Sequence, residues 1–230
     1  MRNRRSAKLL LYFHGNAEDV GSTKDLLEIL KIMLNVSAVA VEYPGYGVYQ
    51  DHRPSEARIL EDAGCVFAFF TELLGWKPAD VVVMGRSIGS GPAIWLAAEK
   101  KPGALALISP HTSIRGVVRD LFGLGVVAQF LVNERFRNLE VIRQVECPTF
   151  ILHGEKDKLI PPSHARQLCK NCGGPTCLLL PKNMDHNTFH IREDLCKPLK
   201  QFLGAVFFEQ RKAREPNRGE VNRGESRDVP

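Results

Sequence analysis

Val81-Val82-Val83-Met84-Gly85-Arg86-Ser87-Ile88-Gly89 carries the strongest structural signal in this 230-residue chain. Four apolar, mostly β-branched residues read as a short buried strand, and the glycine after them reads as its end. From Ser90 to Lys100 the composition turns Ala-rich and helical. A serine flanked by Gly85 and Gly89 therefore sits on a predicted strand-to-helix turn. The pentapeptide Gly-x-Ser-x-Gly alone recurs by chance; the strand before it and the helix after it give it meaning. Such a turn is sharp and brings its backbone close to neighbouring elements, so its flanking positions must lack bulky side chains. It lifts the Ser87 hydroxyl above the strand ends and aims the Ile88 N–H, near a helix N-terminus, at developing negative charge.

Upstream, Lys8–Phe13 is a short apolar run closed by His14-Gly15-Asn16, and Thr23–Leu34 carries a helical stripe. Val36–Tyr43 reads as a second strand, ended by Pro44-Gly45-Tyr46-Gly47, and Ser55 stands before a helix over Glu56–Leu74. Downstream, Ala104–Ile108, Thr149–Leu152 and Cys177–Leu180 read as strands, Ser163–Cys169 as a helix, and Phe189–Gln210 as a closing helix. Apolar strands alternating with helices predict an α/β domain over 1–210, with a mostly parallel sheet covered on both faces. One insertion, about 110–147, interrupts the alternation with helical segments at Ile114–Val132 and Leu139–Val145, a position suited to a short lid. The polar stretch 211–230 lacks an apolar period and reads as a disordered tail.

A serine hydroxyl needs a base, and the base needs an orienting acid. In this strand order the acid and then the histidine are expected on loops at the carboxyl ends of later strands. Asp157 follows the fifth strand and His186 the sixth, giving the candidate set Ser87, Asp157 and His186. Glu155, two residues before Asp157, competes as the acid, whereas Asp185 is read as shaping the histidine's loop. His164 and His190 fall in predicted helices, His14 and His153 end strands, and His52 and His111 lie in loops on the wrong side of the order. The loop after the first strand, His14-Gly15-Asn16-Ala17, offers the Asn16 N–H as a second oxyanion donor beside Ile88.

The chemistry these residues predict is two-step acyl transfer through an acyl-enzyme, with no metal or organic cofactor. Cys169, Cys172 and Cys177 have no second ligand pair at zinc-finger spacing, and the six cysteines are expected to be reduced thiols of a cytoplasmic protein. The net charge of +5 gathers at the ends, in Arg2, Arg4, Arg5 and Lys8 and in six Lys or Arg from Arg211 to Arg227. These ends read as solvated tails, with peripheral attraction to anionic membranes as the sharper alternative; no nucleic-acid motif accompanies them. No signal peptide opens the chain, and Leu121–Val132 falls short of the roughly 18 apolar residues of a membrane span. That apolar run places Phe122, Val126 and Phe130 as candidate contacts for an acyl chain, with an ordinary packed helix as the alternative.

In order along the chain, HGNAEDVG, EYPGYG, RPSE, GRSIGSGP, ISPHTS, HGEKDKLIPP and MDHNTF resemble motifs of the α/β-hydrolase domain-containing serine hydrolases, subfamilies 13 and 17. The resemblance runs from about Leu9 to Phe208. It implies an α/β-hydrolase fold, the triad Ser87, Asp157 and His186, and an oxyanion hole of Asn16 and Ile88. Subfamily 17 contains protein depalmitoylases, so the resemblance implies acyl esters or thioesters as substrates, palmitoyl-protein among them. A lysophospholipase, a small-ester esterase, a serine aminopeptidase-like hydrolase and a catalytically inactive truncated or scaffold member are the alternatives. The expected partner is an acylated protein or a lipid or ester substrate, and the expected state is a monomer. Two family features find no match: a palmitoylated cysteine cluster before Lys8, and a β-hairpin ahead of the His14-Gly15-Asn16 strand. The sheet is therefore expected to lack its leading strands and to leave an edge uncovered.

Overall fold

The computed structural model describes residues 7–122 and 133–214. Six strands form one sheet: β1 (Leu9–Phe13), β2 (Ser37–Val41), β3 (Val81–Arg86), β4 (Ala104–Ile108), β5 (Thr149–Leu152) and β6 (Thr176–Leu179). Their order is β2-β1-β3-β4-β5-β6 and every pairing is parallel. Helices α1 (Lys24–Leu34), α2 (Glu56–Ala68), α3 (Ser90–Lys100), α4 (Ile114–Phe122), α5 (Ser163–Asn171) and α6 (Lys197–Arg214) connect or follow the strands.

The apolar strands alternate side chains between two cores. Leu9, Leu11, Phe13, Val83, Leu105, Leu107 and Ile151 pack on one face with Ile59 and Phe67 of α2 and Ile94 and Leu96 of α3. Leu10, Tyr12, Val82, Met84, Ile108 and Leu152 pack on the other with Leu30 of α1 and Leu199 and Leu203 of α6. Burial on both faces explains why these strands read as unbroken apolar runs. Each fully buried large side chain contributes about 1.5–3 kcal/mol.

The elements match their expected positions with informative shifts at the ends. Ser55 caps α2 by accepting the Arg58 N–H, and the helix continues through a wider turn at Phe69–Leu73. The second lid helix is shorter than its pattern suggests, a turn at Asn138–Val141 followed by a tight turn at Ile142–Gln144. The closing helix starts with a wide turn at Ile191–Cys196, which leaves His190 before it in extended backbone. It also runs past 210 to Arg214, because Glu209, Gln210, Lys212 and Ala213 are strong helix formers; the Gln210 side chain donates to the Gly103 carbonyl. The rest of the predicted tail, 215–230, and the lid residues 123–132 lie outside the described residues. No helix among the described residues is long and apolar enough to cross a membrane.

The chain crosses from β1 outward to β2 and returns to place β3 on β1's other side. The loops after β1 and β3 therefore diverge at a topological switch point, where open α/β sheets form their crevices.

Candidate active site

Ser87 occupies the turn between β3 and α3 with a left-handed backbone, φ 52°. A non-glycine residue there is strained, and the strain persists only where the surroundings fix it. They do so on three sides. A Cβ on Gly85 would run into the Gly89 carbonyl and Ala93, and one on Gly89 would fall on the Phe13 carbonyl oxygen of β1. Beneath the turn, the Ser90 hydroxyl donates to the Ser87 carbonyl at 2.6 Å. His111 Nδ1 lies 3.1 Å from Ser90 Oγ and 3.2 Å from that carbonyl, and Asn138 Nδ2 donates to the His111 carbonyl at 2.9 Å. Burial, reinforced by nearby His164, pushes the His111 imidazole down to about 4, so it stands neutral beneath the turn.

Above the strand ends, His186 Nε2 lies 3.1 Å from Ser87 Oγ. Its Nδ1 lies 2.8 Å from Asp157 Oδ2. The carboxylate fixes the ring with Nδ1–H donating and leaves Nε2 to accept from the serine. Asp157 is itself saturated: Oδ1 accepts the N–H groups of Leu159 and Ile160 at 3.0 and 2.8 Å. Buried His153 donates from Nε2 to the Ile160 carbonyl at 2.7 Å, and the same nitrogen is 3.3 Å from Asp157 Oδ2. Burial alone would raise the Asp157 carboxyl. Hydrogen bonds from His153, His186 and the Ile160 N–H override it and hold the group well below the ordinary carboxylate range. Glu155, the competing acid, is exposed and faces Arg166 at 3.7 Å instead.

The loop after β1 closes the other side. Glu42, at the end of β2, meets His14 Nε2 at 2.9 Å and accepts the Val20 N–H at 3.1 Å. Tyr43 donates to the His14 carbonyl and Tyr46 to Asn16 Oδ1. The EYPGYG segment thus braces the HGN segment. Gly15, Asn16, Ala17, Glu18, Arg86, Ser87, Leu159, His186 and Asn187 line a pocket of about 360 Å³.

The structure therefore brings Ser87, His186 and Asn16 to one pocket, with Asp157 behind the histidine and Ile88 next to the serine. Val126 and Phe130 lie outside the described residues, as does the side chain of Phe122 at the end of α4. The sequence does not single out Glu18, Arg86, Ser90 or Asn138, and the order of strand ends sets His111 and His153 aside. His111 in ISPHTS after β4 and His153 in HGEKDKLIPP after β5 carried a usable signal, at the same end of the sheet as the other site loops. Among the described residues, no group of three or more His, Cys, Asp or Glu is placed to hold a metal ion.

No protein-family model matches the chain. It is 29% identical over 195 residues to the human alpha/beta hydrolase domain-containing protein 17B, and 30% identical over the same length to the Xenopus laevis protein of that name. Each match covers 84% of this chain and 65% of the relative, so the chain spans just under two thirds of their length. Among solved structures it is similar to Est1E from Butyrivibrio proteoclasticus, with TM-score 0.71 and 18% identity over 90% of this chain and 91% of that one. Acetyl xylan esterase 1 from Thermoanaerobacterium sp. JW/SL YS485 superposes with TM-score 0.68 and 14% identity, over 90% and 77% of the two chains. The architecture is that of an α/β hydrolase.

Proposed function

From this fold and its similarity to the alpha/beta hydrolase domain-containing proteins, we propose that the chain is a serine hydrolase that cleaves acyl esters or thioesters. The carrying observation is the continuous chain from Asp157 through His186 to Ser87, with contacts of 2.8 and 3.1 Å. Ser87 Oγ attacks the acyl carbonyl as His186 Nε2 removes its proton. The carbonyl electron pair moves to oxygen, where the Asn16 and Ile88 N–H groups stabilise it. Collapse expels the alkoxide or thiolate, which takes the proton from His186, and leaves an acyl-Ser87 ester. Water, deprotonated by the same histidine, adds to that ester, and collapse releases the acid and restores Ser87.

Within this class a palmitoyl-protein thioesterase is our preferred substrate assignment, supported by the sequence similarity. Small-ester esterase and serine aminopeptidase-like activity are separated from it by turnover along p-nitrophenyl esters from acetyl to palmitoyl and on an aminoacyl amide, and lysophospholipase by comparing a palmitoyl lysophospholipid with a palmitoyl-thioester peptide. A rate that rises toward palmitoyl supports the first assignment, and one that peaks at acetyl rejects it.

The class itself is tested by labelling the full chain with a fluorophosphonate probe and mapping the adduct by mass spectrometry, with Ser87→Ala as control. Labelling confined to Ser87 and lost in the variant is expected. Folded protein that takes up no probe would refute the reading and favour a non-catalytic role.

A further inference from the structure

Two loops meet at one guanidinium. Arg86, the residue before the serine, pairs through Nη1 with Glu18 Oε1 on the loop after β1. Its Nη2 donates to the His186 carbonyl at 3.3 Å and to Asn187 Oδ1 at 3.2 Å on the loop after β6. The second carboxylate oxygen of Glu18 accepts the Gly15 N–H at 2.7 Å. Between these two residues Ala17 holds a left-handed backbone, φ 59°. That turn folds Glu18 back over Gly15, and strain in a non-glycine residue beside a reaction pocket is a mark of imposed function.

We propose that Arg86 and Glu18 form a positioning clamp that sets the Asn16 N–H and the His186 ring against Ser87; the inference rests on the serine-hydrolase reading above. Glu18 fixes the Gly15 amide, and with it the next peptide unit, whose N–H is the donor assigned to the oxyanion. Arg86 holds the backbone of the histidine itself. The pair also has an electrostatic requirement. Glu18 lines the same pocket as Ser87, and an unpaired carboxylate there would repel the developing oxyanion. Arg86 cancels that charge, so the two residues act as a unit and losing the arginine alone is the worst case.

The test compares the wild-type chain, Glu18→Gln, Arg86→Gln and the double variant. The readouts are kcat and KM for p-nitrophenyl acetate, the rate of fluorophosphonate labelling, and thermal unfolding. Arg86→Gln is expected to lower kcat on the order of 10²-fold, the range for misplacing reacting groups by about 1 Å, with KM within about twofold. Glu18→Gln is expected to lower it about 10-fold. The double variant should regain activity relative to Arg86→Gln, because the stranded carboxylate is gone. Additive losses, or wild-type kcat in either single variant, would overturn the clamp. Should Arg86→Gln fail to fold, Arg86→Lys decides: it restores charge opposite Glu18 but lacks the fork that reaches both loops, so an intermediate kcat is expected and a wild-type kcat overturns the proposal. Absence of labelling in the wild type would remove the hydrolase reading and the clamp together, whereas a labelled wild type with indifferent variants removes the clamp alone.

Discussion

His111→Gln isolates what a neutral histidine beneath the serine turn contributes to stability. Burial, with His164 nearby, pushes the folded imidazole down to about 4, whereas an unfolded chain exposes it near its ordinary 6.5. Between those values the unfolded state binds the extra proton, so stability is complete above about pH 6.5 and is lost as pH falls toward 4. With those two values the loss on going from pH 7.5 to pH 5.0 is about 2 kcal/mol for this one group. His164, also held below its ordinary value by burial, acts in the same direction and survives the substitution. The variant should therefore show a flatter profile that still slopes. Carboxylates such as Asp157, held low in the folded state, surrender their contribution only below about pH 4 and do not disturb this window. Urea unfolding of both proteins at pH 7.5, 6.0 and 5.0 measures the difference. Equal loss of stability in wild type and His111→Gln would show that His111 is not held neutral in the folded chain.

Asp157→Asn should lower kcat about 10⁴-fold by releasing the histidine tautomer, while Glu155→Gln stays within about twofold; steady-state kinetics of the pair distinguishes the two acids, and the reverse ranking would reassign the role. Gly89→Ala should destabilise by about 1–3 kcal/mol or more, because the added methyl falls on the Phe13 carbonyl, which cannot swing aside as a side chain would. Denaturant titration measures it, and an unchanged midpoint would mean that the turn is not pressed against β1. Timed iodoacetamide treatment of native protein, read by peptide mass spectrometry, should modify exposed Cys65 and Cys177 first. Cys147, whose thiol burial pushes up to about 12, should stay unmodified until the chain unfolds; early labelling there would contradict the packing around β5.

The fold was legible because its signals are local. Leu9–Phe13, Val81–Met84 and Ala104–Ile108 are buried on both faces, so each announces itself as an apolar run without reference to the rest of the chain. Ser87, Asp157 and His186 were legible by a different route, the order of side-chain types at successive strand ends. Glu18 and Arg86 offered neither signal. Their significance comes from meeting across 68 residues, and a surface pair and a pocket clamp look identical in sequence. His111 is hidden for the same reason, since the Ser87 carbonyl becomes its neighbour only through the sheet, whereas His153 meets Asp157 four residues on, through the turn after β5. The end of α6 is hidden in the sequence because Glu209–Ala213 lacks an apolar stripe yet consists of residues that sustain a helix on propensity alone.

The wide sequence spacing of the pocket has a consequence for how the molecule forms. The Ser87–His186 contact closes 99 residues of chain, and each pairing in the sheet joins parallel strands that require a crossover between them. Non-local topologies of this kind form slowly, since loop-closure entropy is spent before the contacts that repay it exist. The serine turn is local and can arise with β3 and α3, but His186 arrives only after β6 has added to the far side. On refolding, helical signal should therefore return ahead of probe reactivity, and a nascent chain should stay chemically silent until its last strand has docked. On the serine-hydrolase reading proposed above, Ser87 thus reports on completion of the whole sheet.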